Sequence, residues 1–153
     1  MKTWKTLTEV EISPYLNTAQ RDAVAARADL GTVNDPLTVS LAAIVERIRG
    51  EVRAHDKNIL SADSALIPPE LVRSGAYLVM VLLTDSIAAF SMTTAQEDLA
   101  SEASTLLTRI GSGSFPVSIP GDPEVSPQVR TSFGPVVVSR RSNPLCGERL
   151  KGF

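Results

Sequence analysis

The chain is 153 residues long, with 15 Lys and Arg, 17 Asp and Glu, and one His, for a net charge of −2. Hydrophobic residues make up 43% and aromatics 5%, which suits a folded domain and excludes wholesale disorder. A single Cys excludes a disulfide framework, a single His excludes most His-based metal sites, and the near-neutral charge supplies no global attraction to nucleic acid.

At the N-terminus, Met1-Lys-Thr-Trp-Lys runs into Thr-Leu-Thr-Glu instead of an apolar targeting segment. The longest apolar stretch, from Gly75 to Leu83, is nine residues, where a membrane span needs about 20. The expectation is a protein with no membrane partner, in the cytoplasm or in a particle assembled there.

Thr8–Leu16 reads as one or two helical turns, with Pro14 limiting their regularity. Thr18–Asp29 reads as an Ala-rich helix that buries Ala19, Ala23, Val24 and Ala26 and stops at Gly31. The next helix spans Pro36 to Ala54. Leu37, Leu41, Ile44, Val45, Ile48 and Val52 form its apolar stripe, Asp35 caps it, and Pro36 sits at its first position. A further helix begins at Pro68-Pro69-Glu70 and continues to about Phe90. It is apolar nearly all round, so it is either central in its bundle or in touch with a second subunit. The last helix runs from about Thr94 to Ile110. Ser91, Thr93 or Thr94 caps it, Leu99, Ala103, Leu106, Leu107 and Ile110 form its stripe, and Gly111 stops it.

Residues 111–153 follow a different pattern. Six of the ten prolines lie after residue 115, which rules out a long helix there. Phe115, Val117, Ile119, Phe133, Val136, Val137, Val138 and Phe153 make the segment too apolar for a free linker, and Val136-Val137-Val138 suits a short strand. Charge divides the chain in the same way: residues 1–120 carry 10 basic and 14 acidic residues, and residues 121–153 carry five and three. The fold class expected is all-α. It is a small bundle of three main helices plus one or two short N-terminal ones over residues 1–110. An extended Pro/Gly-rich arm with room for short β segments follows over residues 111–153.

No catalytic, cofactor or metal set emerges. His55 falls at a helix C-terminus, where an imidazole meets the negative end of the dipole. Cys146 lies in the arm with no neighbouring base. Gly111-Ser-Gly-Ser lacks the Lys-Ser/Thr of a phosphate loop and serves as a helix stop and hinge. The pairs Glu97-Asp98 and Glu9/Glu11 suit helix N-termini or solvent. Arg130, Arg140, Arg141 and Arg149 are spread over 20 residues without interleaved aromatics.

The order of elements carries a resemblance. A Leu-Thr-Glu-Val-Glu-Ile segment precedes an Ala-rich helix and then a long amphipathic helix ending Ile48-Arg-Gly-Glu-Val-Arg. Ile67-Pro-Pro-Glu-Leu-Val-Arg leads an apolar helix, and the last helix ends Leu106-Leu-Thr-Arg-Ile-Gly-Ser-Gly. Over about residues 5–120 this resembles the head–tail connector (adaptor, or head-completion) proteins of tailed bacteriophages, of the Mu-like group.

The resemblance implies a non-enzymatic structural protein of the virion neck, assembled from the host cytoplasm. It would form a homo-oligomeric ring, commonly twelvefold, below the portal protein. It would join the next neck or tail protein and pass double-stranded DNA through its lumen without sequence-specific binding. On this reading the candidate subunit or portal interface comprises Gly75, Ala76, Leu78, Met80 and Val81 of the apolar helix. From the arm it takes Phe115, Val117, Ile119, Phe133, Val136, Val137, Val138, Arg140, Arg141 and Phe153. The second reading is a small helical nucleic-acid-binding or regulatory protein with a basic tail.

Overall fold

The computed structural model describes residues 3–28 and 35–123. Its elements in chain order are β1 (Lys5–Thr6), α1 (Glu9–Ile12) continued by a 3-10 turn (Ser13–Tyr15), α2 (Thr18–Ala28) and α3 (Pro36–Ala54). Then come β2 (Leu66–Ile67), a 3-10 turn (Pro69–Leu71), α4 (Val72–Ser86) and α5 (Thr94–Gly111). The fold is mainly helical, with one small antiparallel strand pair in which Lys5 faces Ile67 and Thr6 faces Leu66. The all-α expectation holds at that coarse level. The strand pair is formed by segments of residues 1–110, and Val136-Val137-Val138, read as a short strand, falls outside the described residues.

Local chemistry sets the helix ends. The Asp35 carboxylate accepts from the Leu37 and Thr38 amides, and Pro36 costs no helical hydrogen bond at the first position. Thr93 and Gln96 form a reciprocal capping box that opens α5. The helix expected from Pro68 to Phe90 is shorter at both ends. Pro69–Leu71 forms a 3-10 turn, and the chain leaves the helix after Ser86 with Ile87 extended. Gly111 is the last residue of α5. The turn that follows is made at Gly113, at φ 76°, a conformation that favours glycine. At Gly111 a Cβ would lie 2.5 Å from the Glu51 carboxylate, the far end of a flexible side chain that can swing aside.

The core gathers around α4, which packs against both α3 and α5, while those two also touch each other. Ile48 and Val52 of α3, Met80 and Leu83 of α4, and Leu107 and Ile110 of α5 are fully buried together. Trp4, Leu7, Ile12 and Leu16 close one side of this core. Each of these aliphatic side chains contributes about 1.5–3 kcal/mol by leaving water.

The short helix α2 departs from its predicted face. Ala19 and Ala26 are exposed, and Gln20 is buried beside Val24. Burying an amide is tolerable only when its hydrogen bonds are met, and Gln20 meets them. Its Nε2 donates to the Ser91 carbonyl at 2.7 Å and to Gln96 Oε1 at 2.9 Å, and its Oε1 accepts from the Asn17 amide. Gln96 Nε2 donates in turn to the Tyr15 carbonyl. This amide pair fastens the N-terminal region to the start of α5.

Candidate interaction surface

The residues singled out on α4 divide by burial. Gly75, Ala76, Leu78 and Met80 lie inside the bundle. A Cβ on Gly75 would meet Leu7 and Ile48 side-chain atoms at 3.2 Å, so the close approach that glycine permits is made by this same chain. Gly75, Ala76 and Met80 therefore belong to the core of this chain rather than to an exposed face, and Leu78, 4% exposed, meets the surface only where it lines a groove beside Val81. The physical reason is that α4 is enclosed by α3 and α5 on two sides and by the N-terminal segment on a third. Val81 is the exception, 39% exposed on the outer face of α4.

The arm candidates divide as well. Phe115 and Val117 are half-buried against the bundle, and Ile119 is 58% exposed. Residues 111–123 thus form a strap held on the body. Trp4 Nε1 donates to the Ser118 carbonyl at 2.9 Å, and Ser118 Oγ donates to Glu70 Oε2 at 2.9 Å. Farther along, Ser61 Oγ donates to Asp122 Oδ2, the Ala62 amide donates to the Asp122 carbonyl, and Pro123 bridges to Ser61. Phe133, Val136, Val137, Val138, Arg140, Arg141 and Phe153 lie outside the described residues, as does Cys146.

His55 caps the C-terminal end of α3, next to the strap. The Gly113 backbone covers its imidazole so closely that a Cβ on Gly113 would overlap the ring. Its Nδ1 is buried without a hydrogen-bond partner, and its Nε2 is 4.0 Å from the Asp56 carboxylate. Among the described residues no group of three His, Cys, Asp or Glu side chains could hold a metal, and no helix is long and apolar enough to cross a membrane. Comparison with protein-family models, curated proteins and solved structures gives no match.

Two grooves run along the helices. One, of about 560 Å³, lies between α4 and α5, lined by Tyr77, Leu99 and Leu106 with Arg73, Arg109 and Glu102 at its polar positions. Arg73 sits over the Tyr77 ring, 5.8 Å from its centroid, and Tyr15 packs on Tyr77 from another side at 5.6 Å. A second groove, of about 380 Å³, collects Val81 with Leu78, Met92 and Ala100 and is bordered by Asp85 and Glu97. Sequence reading found Val81 but missed its surroundings, since Met92, Glu97 and Ala100 come to it only through the α4–α5 turn. The signal available was the spacing of Val81 and Asp85, one turn apart on one helical face.

Proposed function

We propose that this chain is a structural head–tail connector of a tailed bacteriophage. It would assemble as a ring below the portal, extend the DNA channel, and join the head to the next neck or tail protein. The observation that carries the reading is the placement of its motifs at element junctions. Ile67-Pro-Pro-Glu-Leu-Val-Arg spans the passage from β2 into α4, and Leu-Leu-Thr-Arg-Ile-Gly-Ser-Gly closes α5. Ile48-Arg-Gly-Glu-Val-Arg forms the end of α3, which packs on both.

Two further features support it. Residues 35–123 hold six basic and eleven acidic residues, and an acidic lumen would let DNA slide without adhering. Ile119, 58% exposed on the strap, offers an apolar contact point outside the core. Purified chain should bind isolated portal rings in a fixed stoichiometry, and an antibody to it should mark the head–tail junction of particles from cells that carry it. Absence from particles together with no portal binding would overturn the reading. Salt-dependent binding of free duplex DNA by the isolated chain would favour the nucleic-acid-binding alternative instead.

A further inference from the structure

The groove around Val81 has an apolar floor and an acidic border, and no described part of the chain fills it. Val81 is 39% exposed, and Asp85 and Glu97 flank the opening. Arg47 also lines it, its guanidinium donating to Ser104 Oγ at 3.2 Å on the α5 side, so one cation stands against two carboxylates and the lining is acidic by one charge. An occupant should therefore be apolar with adjoining positive charge. The larger groove, with Arg73 and Arg109 against the one carboxylate of Glu102, has the opposite balance.

The chain beyond the described strap has that chemistry. Residues 124–153 hold five basic and two acidic residues, and they contain Val136-Val137-Val138-Ser139-Arg140-Arg141, an apolar triplet adjoining two arginines. Reach allows the contact. The twelve residues from 124 to 135 can span up to about 40 Å at roughly 3.3 Å per residue. The longest helix of the body, α3 with 19 residues, is about 28 Å long at 1.5 Å per residue. Tethering also raises the local concentration of the segment to the order of millimolar, well above that of a segment from a separate molecule in dilute solution.

We propose that residues 136–141 dock in the Val81 groove of their own chain, with the valines against Val81, Leu78 and Met92 and the arginines toward Asp85 and Glu97. This inference stands apart from the connector reading, since it rests on the groove and the tail of a single chain.

Cys146 is the sole cysteine and lies five residues beyond Arg141, so a nitroxide attached to it reports on the tail within the full-length protein. Amide signals of Val81, Asp85, Glu97 and Ser101 should lose intensity, those of Glu9 and Asp22 on the N-terminal helices should not, and dilution should leave the pattern unchanged. The Asp85→Lys/Glu97→Lys variant should abolish the loss, and adding Arg140→Glu/Arg141→Glu should restore it. Intensity loss confined to a mixture of tagged unlabelled chain and untagged ¹⁵N-labelled chain would overturn the proposal in favour of a neighbouring copy. Loss at another face, no localised loss, or indifference to the charge changes would overturn it outright.

Discussion

The α4 core and the strap are both ordered, but they are held by different chemistry. Around α4, burial does the work: Ile48, Val52, Met80, Leu83, Leu107 and Ile110 are sealed from water. Along residues 111–123 the apolar contribution is smaller: Phe115 and Val117 are half-buried and Pro120 is buried. Position is fixed by a few hydrogen bonds to Trp4, Glu70, Ser61 and Ala62. The contrast teaches that helices can be secured by area, whereas a Pro-rich segment lacking its own backbone ladder must borrow partners from elsewhere in the chain.

That contrast breaks most severely at the core. Ile48→Ala should cost about 2–5 kcal/mol in chemical denaturation, because the void beside Gly75 and Leu7 has little room to collapse. Ending the chain at residue 110 should shift the fluorescence of Trp4, the sole tryptophan, to longer wavelength, whereas ending it at residue 123 should not. Equal spectra for the two truncations would place the strap's packing in doubt. Gly113→Ala should cost about 1–3 kcal/mol from its positive φ. Part of that loss should vanish in a His55→Ala background, which removes the ring that the new methyl group would strike. Ser118→Ala, which deletes one strap hydrogen bond, should cost about 0.5–1.5 kcal/mol. At the small end, Lys5→Ala should change stability by no more than about 1 kcal/mol, since its ion pair with Glu11 is 3.8 Å long and largely exposed.

The same division explains what the sequence made legible. Periodicity located α3 and α5 nearly to the residue, Asp35 announced the start of α3, and Thr93 was one of three caps offered for α5, because capping and amphipathic spacing are local. Gln20 was missed because its partners Ser91 and Gln96 lie 71 and 76 positions away. The β1–β2 pair was missed for a related reason: two-residue strands carry no periodic signal. For the candidate surface, an all-apolar α4 was compatible with either a bundle centre or a subunit contact. The N-terminal segment's cover over Gly75 decided for the centre, and no local pattern encodes it. Val81 alone among the α4 candidates remains at the surface.

The hydrogen bond from Trp4 to Ser118 joins positions 114 apart and has a consequence for synthesis on the ribosome. At roughly 5–20 residues per second, Trp4 emerges on the order of 6–20 s before its acceptor exists. Its β1 neighbour Lys5 must likewise wait for Ile67. During that interval Trp4, Leu7 and Ile12 lack the α4 surface that buries them. The nascent N-terminal segment is thus an exposed apolar patch, a site for chaperone capture, until α4 and then the strap have been made.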